Sequence, residues 1–150
     1  KEQIHIDGKI IDVIPTSQLD LEEKYYQKMP YENPKISIDN LKEDYFGKIF
    51  GTRSGDKGGC ANLGVWAKSQ EAYSFLFDFL TVKKLKELLP DLEKFEIDRF
   101  ELPNIYSLNF YVHGILQDGV SSSTRMDGQA KSLGEYLRAK KINFPEQLLK

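Results

Sequence analysis

The residues best equipped for chemistry lie in one short run, Arg53-Ser54-Gly55-Asp56-Lys57-Gly58-Gly59-Cys60. Gly55, Gly58 and Gly59 fall within five positions, and glycine accepts positive φ at little cost. Such a run turns successive backbone N–H groups toward one point and forms an anion-binding nest. Arg53 and Lys57 add two cations against the single carboxylate of Asp56, so a phosphate or carboxylate suits the loop. A tight surface turn, with Asp56 paired to a neighbouring cation, accounts for the same residues. The run lacks the Gly-Lys-Ser/Thr ending of a P-loop and the spacing of the dinucleotide fingerprint.

Cys60 follows the nest, where an anion-favouring setting would activate a thiol; as small core filler it would be inert. His113 lies on an apolar run with Asn109 four residues earlier, which puts both on one face of a strand. It reads as a histidine that holds a strand in place, or as a general acid–base with Asp56 as its carboxylate. A third polar cluster runs from Asp118 to Asp127, and Ser123, Arg125 and Asp127 stand just before an amphipathic stretch. Asp127 is placed to cap that helix, and hydroxyls with an arginine at a helix start form a second candidate anion site. Ordinary capping plus a salt bridge is the plainer account. Two histidines and one cysteine at unrelated spacings make no zinc site, so neither a metal nor a cofactor is expected.

These residues need elements to hold them. Asp7-Gly8 between Ile4 and Ile11 predicts a short hairpin with a type I′ turn. Leu19–Met29 predicts a short helix, and Pro30 to Pro34 breaks regular structure. Lys48–Thr52 and Ala61–Ala67 read as strands on either side of the glycine loop. Ser69 caps a helix over 70–80, and a second helix over 82–89 ends at Pro90. Phe95–Leu102 alternates apolar with charged residues and predicts a strand with one wet face. Pro103-Asn104 turns it into a strand over 106–116, and the amphipathic stretch 129–139 closes the order as a helix. Strand-strand-helix-strand-strand-helix predicts an α+β fold, a ferredoxin-like sandwich with helices on one face of an antiparallel sheet.

At 150 residues the chain holds one domain. Its composition, 40% hydrophobic and 29% charged, is globular rather than disordered. Twenty-one Lys and Arg against 23 Asp and Glu leave no basic surplus for a nucleic-acid partner. The apolar runs are too short to span a membrane. One cysteine excludes an internal disulfide framework and suits a reducing, cytoplasmic setting. The balance is global and not local: Gly51–Lys68 carries three cations, Arg53, Lys57 and Lys68, against one carboxylate, Asp56. The chain opens on Lys1 without a signal-peptide pattern, so it reads as a piece of a longer protein. Residues 1–46, proline-bearing and weakly periodic, read as an extended arm or linker from a preceding domain, and residues 47–150 as the folded domain.

Several motifs in order carry a resemblance. Arg53-Ser54-Gly55-Asp56-Lys57-Gly58 with Asn62-Leu63-Gly64, then Leu102-Pro103-Asn104, Leu108-Asn109-Phe110, His113, Gly119, Ser122 or Ser123, Arg125, Asp127, Gln129, Lys131 and Leu133, is similar to the pattern of the C-terminal domain of the AtuA-like, acyclic terpene utilisation, family. The similarity covers about residues 47–150. It implies a ferredoxin-like fold and a setting near acyl-CoA carboxylation and the breakdown of branched acyl-CoA, and it implies no particular reaction. Cys60 departs from the pattern, which puts a family nucleophile there in doubt.

Two functions follow as expectations. In the first, an accessory or substrate-binding domain of a larger protein binds an anionic ligand, such as a CoA thioester, through Arg53, Ser54, Gly55, Asp56, Lys57, Gly58, Asn62, Asn104, Asn109, Ser123, Arg125, Asp127 and Lys131. In the second, a homo-oligomerisation or docking module uses Asp56, Arg125 and Lys131 as a structural ion-pair network. A weaker third expectation gives His113 and Asp56 a catalytic role.

Overall fold

The computed structural model describes residues 2–13 and 31–150. They fall in two compact units, one within residues 1–30 and one running from Tyr31 to Lys150. The predicted helix at Leu19–Met29 lies outside the described residues.

The first unit shows the expected hairpin, β1 (Glu2–Ile6) and β2 (Lys9–Val13), with Ile4 opposite Ile11 and His5 opposite Ile10. Asp7 and Gly8 take φ of 48° and 74°, the double positive φ of a type I′ turn.

The second unit holds the core. It begins with an extended segment and β3 (Leu41–Tyr45), followed by a 3-10 turn over Phe46–Lys48. Next come β4 (Gly51–Lys57), β5 (Cys60–Trp66), α1 (Gln70–Phe79), α2 (Val82–Leu88), β6 (Ile97–Leu102), β7 (Ser107–Val112), α3 (Leu133–Arg138) and β8 (Lys141–Pro145). Four strands form one antiparallel sheet in the order β4-β5-β7-β6, and β3 pairs with β8 in a second, two-stranded sheet. The fold is α+β and ferredoxin-like, with the antiparallel sheet that the strand pattern predicts.

Alternation decides which face is buried. Ala61, Leu63 and Val65 of β5 and Leu108, Phe110 and Val112 of β7 are buried with Tyr73 and Leu76 of α1, Leu85 of α2 and Leu137 of α3 in one cluster. Ser69 Oγ accepts from Ala72 N and caps α1, and Thr81 Oγ1 accepts from Lys84 N and caps α2.

Residues 31–45, placed in the arm on composition, pair and pack within this unit. Leu41 to Tyr45 register against Pro145 to Lys141. The Tyr31 ring stands 5.7 Å from those of Tyr73 and Phe77, and Asn33 Nδ2 donates to the Ser74 carbonyl at 3.1 Å.

Three elements differ from their predicted limits. The first strand of the main sheet starts at Gly51 because Phe46 and Phe50, their rings 4.9 Å apart, turn inward on a 3-10 step. The strand expected over 106–116 is confined to Ser107–Val112, between positive φ at Tyr106 and at Gly114. The last helix starts at Leu133 rather than 129, because Ala130 adopts φ of 53° and a right-handed helix does not pass through that conformation. No helix among the described residues is long and apolar enough to cross a membrane.

Candidate functional site

The glycine segment is not a loop. Arg53 to Lys57 run extended in β4, and Lys57 pairs with Cys60 to close a two-residue turn at Gly58-Gly59. Only Gly58 in this run has positive φ, at 61°. Successive N–H groups of an extended strand point to alternate sides, so they do not converge as a nest requires. Gly59 is fixed by crowding: a Cβ there would stand 2.0 Å from the Gln117 carbonyl oxygen.

Alternation along β4 also divides its side chains between two faces. Ser54 is buried on the helix-bearing face and Arg53 is exposed. Ser54 Oγ donates to the Lys131 carbonyl at 3.1 Å and accepts from Gly134 N at 2.9 Å, which ties β4 to the start of α3. Gly134 makes room for this contact, since a Cβ there would stand 2.9 Å from Thr52 Oγ1.

At this junction lies a cavity of about 260 Å³ lined by Thr52, Arg53, Ser54, Lys131, Gly134 and Glu135. β4 is an edge strand, so Arg53 and the Lys131 segment reach the cavity from different elements. Among the described residues, no ion pair involves Arg53 or Lys131. The Glu135 carboxylate is engaged by Arg138 at 3.2 Å, which leaves the cavity a cationic surplus. Thr52, only 7% exposed, has a buried hydroxyl without a partner.

The other candidate residues fall into separate places. Arg125 and Asp127 line a larger cavity of about 560 Å³ with Leu89, Asp91, Ser132 and Tyr136. Asp127 does not sit at the N-cap as expected. Its carboxylate accepts from the Lys131 and Ser132 N–H groups, both at 2.9 Å, and from Ser132 Oγ at 2.7 Å, so it closes the turn before α3. Ser123 Oγ accepts from Arg125 N at 3.3 Å. Asn104 is exposed in a 3-10 turn over Pro103–Ile105. Among the described residues, no ion pair joins Asp56, Arg125 and Lys131.

Asn62, Asn109 and His113 alternate onto the sheet face away from the helices, where the two asparagines meet and His113 stands apart from them. Asn62 Nδ2 donates to Asn109 Oδ1 at 3.3 Å. His113 Nε2 lies 2.8 Å from Asp98 Oδ2, and the His113 and Tyr111 rings meet edge-on at 4.9 Å. The carboxylate partner of His113 is therefore Asp98 and not Asp56. Asp56 alternates onto the helix-bearing face with Thr52 and Ser54, and its carbonyl accepts from Lys57 Nζ. Asp98 was missed because β6 shows only its alternation in sequence, while its register opposite Tyr111 comes from pairing. Cys60 is half-buried rather than core filler; Gly114 N donates to its sulfur at 3.4 Å. Its hydrogen bond to Tyr111 is the main cause holding that phenol's pKa above the usual range, with burial second.

A family model, the AtuA ferredoxin-like domain, matches residues 46–143, more than half of the chain. The chain belongs to this family. No curated protein and no solved structure matches it. The matched span of the AtuA ferredoxin-like domain takes in the sheet from β4 to β7, helices α1 to α3 and both cavities described above. Among the described residues, no group of three or more His, Cys, Asp or Glu side chains is placed to hold a metal ion.

Proposed function

We propose that this AtuA ferredoxin-like domain is the accessory or substrate-binding domain of a larger protein, seating an anionic group at the β4 edge. The observation that carries this reading is that Arg53 and Lys131 line one cavity in which Glu135, the one carboxylate among its described lining residues, is engaged by Arg138. Arg53 supplies a planar fork suited to carboxylate or phosphate, and Lys131 a point charge. Ser54 acts differently: with its hydroxyl already committed to Lys131 and Gly134, it holds the two sides together. The ligand class is the phosphate or carboxylate end of a CoA thioester, and the setting is the acyclic terpene or branched acyl-CoA breakdown that the family resemblance implies.

Isothermal titration with CoA and its acyl thioesters tests the reading. Each charge-assisted contact contributes about 1.5–3 kcal/mol, so Arg53→Ala and Lys131→Ala should each weaken binding about 10- to 100-fold. Arg125→Ala, in the separate cavity, should leave it within about threefold. Absence of binding, or binding that survives both substitutions, rejects the reading.

A docking role rests on a different observation, the helix-free face of the sheet, whose exposed Trp66 and Phe100 play no part in the cavity.

A further inference from the structure

Strand register lays out the helix-free face of the sheet in rows. Across β4, β5, β7 and β6 these are Gly51–Trp66–Ser107–Leu102, Arg53–Gly64–Asn109–Phe100 and Gly55–Asn62–Tyr111–Asp98. Trp66, Phe100 and Leu102 are 40%, 51% and 42% exposed, an apolar band on an otherwise polar face. Gly55 and Gly64 lie within strands, and neither has positive φ. A Cβ at Gly55 would meet nothing within 4 Å, and one at Gly64 only the Arg53 carbonyl at 3.6 Å. Backbone geometry and internal crowding therefore leave both glycines unexplained. Glycine inside a strand costs stability and marks a place where another molecule or backbone comes close.

The geometry points to a second copy of this chain packed face to face on this sheet, related by a two-fold axis parallel to the strands. Aligned packing of two sheets is the ordinary way to cover such a face. This axis lays β4 over the partner's β6 and β5 over the partner's β7, so each row meets its own reverse. Large side chains meet small ones in three of these pairings, while Asn62 lies beside Tyr111 of the partner subunit. Asn109 enters the hollow at Gly64 of the partner subunit, and Asp98 enters the hollow at Gly55 of the partner subunit. Trp66 meets Ser107 of the partner subunit. Leu102 meets the partner's indole, since Trp66 lies so close over Gly51 that a Cβ there would stand 2.2 Å from its ring.

Charge selects this axis over its alternative. On this face β4 carries Arg53 and Lys57, whereas β6 carries Asp98. The parallel axis puts each Asp98 between the Arg53 and Lys57 of the other copy. An axis across the strands would stack β4 on β4 and set cation against cation, which is repulsive. Four strands about 4.8 Å apart and six residues at about 3.3 Å each give a face of roughly 400 Å² in projection. That is about half the area per partner of a standard interface, so the dimer is weak, forms transiently and depends on concentration.

Sedimentation equilibrium of the chain, under reductant so that Cys60 does not link copies, is the test. From low micromolar to near-millimolar concentration it should show a monomer–dimer equilibrium. Gly64→Leu fills a hollow and Asp98→Lys sets cation over cation; each should raise the dimer dissociation constant at least about tenfold. Adding Lys57→Asp to Asp98→Lys exchanges the charges of that pair and should bring the dissociation constant back toward that of the parent chain. Circular dichroism checks folding, and the exposed Asp98 arm stands if Gly64→Leu misfolds. A monomer at every concentration overturns the inference and leaves the face to another domain. A dimer that both single variants leave intact, or that charge exchange fails to restore, overturns it as well. Arg53 lies at both places, so the arms that tell the two readings apart avoid it: Lys131→Ala should leave the dimer unchanged, and Asp98→Lys should leave CoA binding unchanged.

Discussion

Ser54 shows how one hydroxyl sets a site. It is 8% exposed and both donates to Lys131 and accepts from Gly134 N. Alanine there removes two hydrogen bonds and leaves a buried backbone N–H unpaired, a loss of about 1–3 kcal/mol. Urea unfolding of Ser54→Ala should show that loss with an unchanged denaturant slope. Binding should weaken too, since Lys131 is then no longer held against β4. Sequence made Ser54 visible as part of a polar run, yet gave no sign that it faces away from Arg53. That division follows from the two-residue period of a strand, which is usable only once the segment is known to be a strand. Glycine density argued for a loop, and the ladder with β5 overrode it.

At the level of elements, the caps and alternations were legible. Ser69 caps α1, Pro90 follows the end of α2, and β6 shows one wet face, each through a local preference that tertiary contacts reinforce. The start of α3 was not legible, because the positive φ of Ala130 and the Asp127 turn depend on closure against β4. Within α1, Tyr73 is fully buried with no partner for its hydroxyl. Burial, then the neighbouring Tyr31 and Glu101, push its pKa up to about 12. The unfolded chain ionises this phenol near 10, so between pH 10 and about 12 the unfolded state holds fewer protons than the native one. Stability from this group is complete below pH 10 and is lost as pH rises toward 12. Tyr73→Phe should flatten that alkaline fall in unfolding experiments. Tyr31, raised in the same direction, should keep part of it. At pH 7 the substitution should leave stability unchanged or raise it by up to about 1 kcal/mol, since no hydrogen bond is lost.

For the whole molecule, the boundary matters as much as the sheet. The compact unit starts at Tyr31, whereas composition shifts near residue 46. A chain beginning at Tyr31 keeps β3 against β8 and Tyr31 against Tyr73, and should melt cooperatively. One beginning at Gly47 exposes the β8 edge and part of the aromatic cluster, and should lose on the order of 2–3 kcal/mol, the scale of one large buried side chain. Calorimetry of the two truncations distinguishes them, and equal stability would contradict this account. The near-neutral charge of the chain likewise averages over separated surfaces: Arg53 and Lys57 lie along β4, and Asp98 lies across the sheet on β6.

The sequence by itself determined the family, the fold class, the hairpin turn at Asp7-Gly8 and the residue types of both candidate sites. Those features rest on local preference and on motif order, which need no knowledge of neighbours. Only the tertiary structure decided that Arg53 and Lys131 line one cavity, that His113 meets Asp98 instead of Asp56, and that Gly55 and Gly64 open onto a face that no helix of the described residues covers. Each of these is a pairing between residues far apart in the chain. Strand register and helix docking fix such pairings by burying one face of every element at once, a condition that no single segment carries.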